Sequence, residues 1–147
     1  MSTSHQLHLI VFFVDILSVD GDWKIGDWGT AKMDKPASQK GTLDRGTKDY
    51  CAPEASNSSI YGKFSDIYSY AVVFYEMLVG ECPCEANTAC RKGNPEWYKQ
   101  PVFEHPVFGQ ALREFLEKLL AYDYEQRASA EEALLELDSI IELVEGM

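Results

Sequence analysis

The chain has 147 residues, 46% of them hydrophobic, and a formal net charge of -11. This apolar content is enough for a domain with its own core and excludes a disordered tail. The negative charge argues against nucleic acid and against anionic membrane surfaces as partners, because both recruit basic patches. The composition therefore predicts a soluble domain, or one that meets basic partners.

The first predicted elements are two short strands, at residues 7–17 and 23–26, with Asp20-Gly21-Asp22 as the turn between them. The apolar run at residues 9–14 within the first strand is too short to span a bilayer. No basic segment precedes it and no small-residue cleavage site follows it, so a buried strand is a better interpretation than a signal peptide or an anchor.

Residues 29–60 show no sustained periodicity and are predicted to form a long loop. Residues 65–80 predict a helix, with Ser65 as its N-cap and Gly80 just past its end. This helix is apolar almost all the way round, which is typical of a helix in the middle of a domain. Residues 81–108 are predicted to be irregular because prolines recur through them.

Helical periodicity returns in the last third of the chain. The apolar residues of the segment 109–121 have helical spacing, and a last helix is predicted from Ser129, where Ser129 and Glu132 form a capping box. The predicted buried residues are Leu112, Phe115, Leu116, Leu119 and Leu120 in the first of these helices, and Leu134, Leu137, Ile141 and Val144 in the last. Two strands, a long loop and several helices predict an α+β fold that is mostly helical.

The four cysteines, at positions 51, 82, 84 and 90, show neither C-x-x-C spacing nor a secretory context. Reduced thiols and a cytoplasmic location are therefore expected. Zinc binding by Cys82, Cys84 and Cys90 is the alternative, but no fourth ligand follows at a useful spacing.

Asp27 lies between two glycines in the segment KIGDWGTAK, residues 24–32, directly after the second predicted strand. One interpretation is a tight turn. The other is a metal-binding carboxylate aimed at phosphate, and the segments further along the chain favour it.

Four later segments resemble protein kinase motifs, in the kinase order. GTKDYCAPE at 46–54 resembles G-T-x-x-Y-x-A-P-E, and SDIYSY at 65–70 resembles S-D-V-[WY]-S-[FY]. Glu81-Cys82-Pro83 falls where kinases often have G-x-x-P, and DYEQRAS at 123–129 resembles D-P-x-x-R-x-S. With the DWG segment, the chain resembles the C-terminal lobe of a protein kinase over about residues 8–145, of the serine/threonine type and nearest the tyrosine-kinase-like group.

The resemblance implies one partial kinase domain over residues 1–147. Residues 8–26 would be a remnant of the catalytic loop with its strands, residues 27–54 the activation segment, and residues 65–147 a helical subdomain. Asp27 would hold Mg²⁺ against the phosphates of ATP, with Trp28 in place of the usual Phe.

The resemblance also implies roles for the activation segment. Ser38 and Thr42 are candidate phosphoacceptors, with unmodified exposed hydroxyls as the alternative. Thr47 would touch the catalytic loop beside the substrate hydroxyl.

Three further residues receive structural roles from the resemblance. Glu54 and Arg127 would form a buried ion pair that ties the activation segment to the last helices. Asp66 would accept backbone N–H groups of the catalytic loop, or would simply be an acid favoured at a helix start.

The catalytic loop departs from the kinase pattern H-R-D-L-x-x-x-N. His8 matches the His, but Ile10 stands at the catalytic Asp, so no intact catalytic residue is predicted. Phe12 stands at the phosphate-contacting Lys, and Asp15 replaces the metal-binding Asn and still offers an oxygen to the cofactor. We also expect that the chain starts too late to contain the Gly-rich loop. Mg²⁺ and ATP are therefore expected as cofactors of the family, with neither bound tightly by this chain.

Three functions stay open at this stage. The first is a serine/threonine kinase whose N-terminal segment is truncated or altered, and the second is a binding module without catalysis. The third is an unrelated α+β domain. We favour a kinase-family chain that is itself inactive. Its partners or substrates would be proteins, with no nucleic acid and no membrane, and uncovered apolar surface would allow association.

Overall fold

The computed structural model describes residues 9–10, 15–19, 22–26, 32–33, 49–58, 60–80 and 98–147. These residues confirm an α+β fold that is mostly helical. Short 3₁₀ turns at Pro101–Glu104 and Tyr124–Gln126 precede the last two helices. The strands are β1 (Leu9–Ile10), β2 (Asp15–Val19), β3 (Asp22–Gly26) and β4 (Lys32–Met33), and the helices are α1 (Pro53–Ser58), α2 (Lys63–Val79), α3 (Gly109–Leu119) and α4 (Ala130–Glu145).

The strands form two antiparallel pairs, β2 with β3 and β1 with β4. In the first pair Val19 lies opposite Asp22. Only the Asp-Gly dipeptide at 20–21 separates the two strands, which is the sequence that two-residue hairpin loops favour. Asp22 therefore begins β3 and is not a turn residue. The strand predicted over 7–17 is divided between β1 and β2.

The prediction of one long loop over residues 29–60 is wrong in two places, at β4 and α1. Two residues of β4 are too few to show a periodicity. Pro53 occupies the first position of α1, where its fixed φ suits the helix and its missing N–H costs nothing. Pro53, Glu54 and Ala55 are buried. Tertiary packing therefore stabilises this short helix, and an apolar periodicity in the sequence does not reveal it.

Helix α2 begins at Lys63 with Gly62 as its N-cap, and Ser65 lies inside its first turn. The prediction of Ser65 as the N-cap is wrong. Its Oγ accepts the Gly62 N–H at 3.3 Å and donates to Glu54 Oε1 at 2.8 Å. Gly80 does end the helix, with a φ of 76° in the left-handed region that glycine adopts without strain.

The core lies where α2 packs against α3 and α3 packs against α4. The face that α2 presents to this core is fully buried at Tyr68, Ala71 and Val72. The five apolar residues predicted for the segment 109–121 are all buried, which confirms the helical periodicity found there.

Helix α4 starts with the predicted capping box. Ser129 Oγ accepts the Glu132 N–H at 3.2 Å, and the Glu132 carboxylate accepts the Ser129 N–H at 2.8 Å. The predicted buried stripe of this helix is wrong. Leu134, Ile141 and Val144 are 61%, 44% and 42% exposed, and Leu137 is only partly buried.

Ala133 and Ile140 face the core in place of that stripe. Sequence periodicity shows that a helix has an apolar face but does not show which neighbour covers that face. On α4, the residues that pack inward lie beside the stripe around the helix.

The core predicts a large difference between two leucine truncations. Leu119 is 0% exposed and Leu135 is 70% exposed. We expect Leu119→Ala to lower the free energy of unfolding by about 2–5 kcal/mol, because it removes buried methyl groups and leaves a cavity. Leu135→Ala should change it by no more than about 0.5 kcal/mol. Urea unfolding of both variants measures the difference, and equal effects would contradict this packing.

The capping box predicts a contribution to stability that depends on pH. The hydrogen bonds with Ser129 hold the pKa of Glu132 below its usual 4.5. Because this pKa is lower in the folded state, the contribution is complete above pH 4.5 and is lost as the pH falls through the folded pKa. Urea midpoints measured from neutral to acidic pH should therefore decline less for Glu132→Gln than for the unaltered chain. Parallel declines would contradict the prediction.

Candidate functional site

One of the two predicted metal-binding positions, Asp15, lies at an end of the β2–β3 hairpin. Asp15 lies opposite Gly26 in the strand register, and Asp27 follows Gly26 directly in the chain. Residues opposite each other in an antiparallel pair have Cα atoms about 4.5–5.5 Å apart. Carboxylate oxygens are the donors that Mg²⁺ prefers, so an acid at this end suits a hard cation. Asp27 lies outside the described residues, and its metal-binding role stays a prediction.

The position predicted for the catalytic aspartate carries an apolar residue in a strand. Ile10 is the last residue of β1 and pairs with Lys32 of β4. Its side chain has no atom that accepts a proton from a hydroxyl group. Residues 11–14, between β1 and β2, lie outside the described part of the chain.

The predicted activation segment is described only near its end. Ser38, Thr42 and Thr47 lie outside the described residues, and their roles stay predictions. Tyr50 is fixed to α2 by two hydrogen bonds: its carbonyl accepts from Ser69 Oγ at 2.8 Å, and its hydroxyl donates to Glu76 Oε2 at 2.9 Å. The chain therefore enters α1 from a position held against the central helix.

Glu54 and Arg127 form a bidentate ion pair. Arg127 Nη1 lies 2.9 Å from Glu54 Oε1, and Nη2 lies 3.1 Å from Oε2. The Arg127 and Glu54 side chains are 0% and 5% exposed. The contact joins α1 to the segment just before α4, across 73 residues of sequence.

The remaining donors of the guanidinium group are also satisfied. Its other N–H groups donate to the carbonyl oxygens of Phe64 and Ala121, so all five N–H groups of Arg127 are used. Its plane lies over the Tyr68 ring, with 5.0 Å from Cζ to the ring centroid. A charge buried this deeply is tolerated only when it is paired and fully hydrogen-bonded.

Ser65 completes the site, and sequence reasoning assigned it a different role. Its hydroxyl donates to the same Glu54 oxygen that accepts from Arg127. The carbonyls of Phe64 and Ala121 were not anticipated either, because backbone acceptors carry no signature in a sequence. The signals for Ser65 were a hydroxyl at the start of an apolar helix and its place at the head of the SDIYSY segment.

Asp66 lies in the first turn of α2 and is half-buried. Helix α2 lies close to β1, the strand that ends at Ile10. This placement suits the predicted role of Asp66 in holding the catalytic loop. That loop lies outside the described residues, so the role stays a prediction.

The described part of the chain contains no group of three or more His, Cys, Asp or Glu residues placed to hold a metal ion. Cys82, Cys84 and Cys90, the alternative zinc ligands, lie outside it. None of the helices described here is long and apolar enough to cross a membrane.

The ion pair predicts a large effect of removing one partner. We expect Arg127→Ala to lower the free energy of unfolding by about 3–5 kcal/mol, because it leaves the Glu54 carboxylate buried without its counter-ion. Arg113 provides a matched control, since its pair with Glu117 at 3.1 Å is on the surface, with side chains 48% and 44% exposed. Arg113→Ala should cost no more than about 0.5 kcal/mol. Thermal or urea unfolding that ranks the two variants equally would contradict the prediction.

Comparison with known proteins gives the family. The profile described as "Protein kinase domain" matches residues 14–136. Similar proteins include the probable serine/threonine-protein kinase PBL24 of Arabidopsis thaliana, 33% identical over 93 residues. The Aurora kinase of Patiria pectinifera is 33% identical over 120 residues, and the serine/threonine-protein kinase STE20 of Saccharomyces cerevisiae is 33% identical over 138 residues.

These alignments cover 62%, 79% and 89% of this chain, but only 24%, 28% and 14% of the respective relatives. The chain thus corresponds to a limited part of each relative. The matched region contains the β2–β3 hairpin, the ion pair, the helices α1 to α3 and the start of α4, and it agrees with a kinase-like C-terminal lobe. The family match and the serine/threonine kinase relatives together show that this chain belongs to the protein kinase family.

Proposed function

We propose that this serine/threonine kinase-like domain keeps the scaffold of a kinase C-terminal lobe but does not itself transfer phosphate. The proposal rests on Ile10, an apolar residue of β1, which the resemblance to the kinase pattern predicts at the position of the catalytic base. A kinase needs a carboxylate there to accept the proton of the substrate hydroxyl. Loss of a positioned base lowers a rate by about 10²–10⁴.

Two positions support a remaining affinity for the family's cofactors. Asp15, at the end of the hairpin, and Asp27, the next residue in the chain after β3, would offer oxygens to Mg²⁺. When bound, that ion neutralises charge on the ATP phosphates. Phe12 offers no charge to the phosphates where kinases have a lysine, so we propose that these 147 residues bind Mg²⁺ and ATP only weakly.

The proposed activation segment, residues 27–54, fits the same interpretation. Its end is attached to α2 through Tyr50 and to the helical subdomain through Glu54. Thr47 would lie beside the catalytic loop, and phosphorylation of Ser38 or Thr42 would add charge to the segment. The added charge would order the segment. With Ile10 at the base position, the ordered segment would shape a binding surface and would not switch on phosphoryl transfer.

A second function, a module that docks on a protein partner, is favoured by a specific observation. Several large apolar side chains on one face of α4 are exposed, among them Leu134, Ile141 and Val144. Contiguous apolar surface on a folded protein commonly marks an interaction site.

A phosphoryl-transfer assay tests the inactivity. The chain is incubated with Mg²⁺, ATP labelled at the γ-phosphate and a mixed Ser/Thr peptide library. Kinases turn over at about 1–100 s⁻¹, and we expect a rate lower by at least about 10²-fold. Ile10→Asp restores a carboxylate at the base position, and Ile10→Asn controls for polarity alone. Transfer by the unaltered chain at an ordinary kinase rate, abolished by Asp27→Ala, would overturn the proposal.

Nucleotide affinity provides a separate measurement. We expect a fluorescent ATP analogue to bind only weakly, even when Mg²⁺ is present. Tight binding that requires Mg²⁺ and is lost in Asp27→Ala would contradict weak cofactor binding while leaving the assignment to the family unchanged.

A further inference from the structure

One face of α4 carries an apolar pattern that is mostly exposed. Its residues are spaced four, three, four and three apart, which is the alternation found where two helices pack along a seam. They follow the helix for about 21 Å at 1.5 Å per residue. These residues, called the α4 stripe below, are Ala130, Leu134, Leu137, Ile141 and Val144, and all except the partly buried Leu137 are exposed.

The N-terminal half of the α4 stripe opens into an apolar groove. Leu134 and Leu137 line the groove together with Ile67 and Tyr70 of α2 and Phe115 of α3. The groove holds about 210 Å³ of space. Burial raises the pKa of the Tyr70 hydroxyl, as expected for a side chain in apolar surroundings. The stripe and the groove therefore form one continuous surface, long enough for about four turns of a second helix.

A row of acids borders the α4 stripe on its solvent side. Glu131, Asp138 and Glu145 each follow a stripe residue by one position, which places them about 100° further around the helix. All three are exposed. Helix α4 contains no Lys or Arg, so its own residues do not neutralise this row.

The charge of this row decides between two occupants. A second copy of the chain packed along the same stripe would bring one acidic row close to another, and like charges brought together at an interface are costly. A helix with an apolar seam bordered by Lys or Arg would form ion pairs with the row, as flanking positions do between packed helices.

We propose that the α4 stripe and its groove bind a basic amphipathic helix of a partner protein. The helix would place its apolar seam on the stripe and its Lys or Arg side chains opposite Glu131, Asp138 and Glu145. The inference deepens the docking function proposed above, and it does not depend on whether the chain transfers phosphate.

Binding of designed peptides to the 147-residue chain tests the proposal. The probe is a fluorescein-labelled peptide of about 18 residues, which is long enough to form a helix in water. Its Leu residues have the spacing of the α4 stripe, Lys residues flank this apolar seam, and the other positions are Ala. One control peptide has the same composition with the Leu residues spread around the helix, and another has Glu in place of Lys. We expect fluorescence anisotropy to report binding of the probe at least about tenfold tighter than of either control.

Variants of exposed residues locate the site. Leu134→Gln combined with Ile141→Gln should weaken binding of the probe at least about tenfold, because each removes apolar contact area. Leu135→Gln, on another face of α4 and 70% exposed, should change it less than about twofold. Neutralising the row with Glu131→Gln, Asp138→Asn and Glu145→Gln should weaken binding and reduce its dependence on salt.

Three results would overturn the proposal: no binding of the Lys peptide, equal binding of both charge types, or no effect of the stripe variants. Sedimentation would show whether a second copy of the chain occupies the α4 stripe instead. A dimer that the stripe variants dissociate would also overturn the proposal. None of these results alters the phosphoryl-transfer assay, so failure of the docking surface and failure of the inactivity proposal are distinguishable.

Discussion

The arrangement of the described helices depends on one buried ion pair, between Glu54 and Arg127. It connects α1, at the end of the proposed activation segment, to the turn that precedes α4. Taking two charges out of water is expensive, and the attraction between them compensates only when the geometry is good and the other polar atoms are satisfied. Here the pairing is bidentate, and the hydroxyl of Ser65 and the carbonyls of Phe64 and Ala121 complete the network. The network therefore fixes how the two halves of the chain meet.

Stability and catalysis depend on different residues in this lobe. The ion pair, the Tyr50 hydrogen bonds to α2 and the α2–α3 packing require no catalytic group. A chain can therefore keep all of them with an isoleucine at the base position, as we propose for Ile10. This separation is compatible with the proposal that the chain keeps its kinase scaffold without the catalytic base.

The features that the sequence predicted well are those with a local physical cause. Gly80 ends α2 because glycine adopts a positive φ, the capping box of Ser129 and Glu132 depends on residues three apart, and the apolar residues of α3 have one dominant helical period. The Glu54–Arg127 contact came from motifs, since no local rule joins residues 73 apart. The failures depend on tertiary contacts. Burial stabilises α1, Ser65 lies inside the first turn of α2 and donates to Glu54, and packing against α3 sets which face of α4 points inward.

The central claim is that Glu54 and Arg127 act as one unit, and a double-mutant cycle tests it most directly. The free energy of unfolding is measured for Glu54→Gln, for Arg127→Met and for the two combined. Removing one partner of a buried ion pair is costly, whereas replacing both partners is not. The combined variant should therefore be destabilised by clearly less than the sum of the two single variants. We expect this difference, the coupling energy, to be about 1–3 kcal/mol. Additive effects, with coupling near zero, would contradict the account.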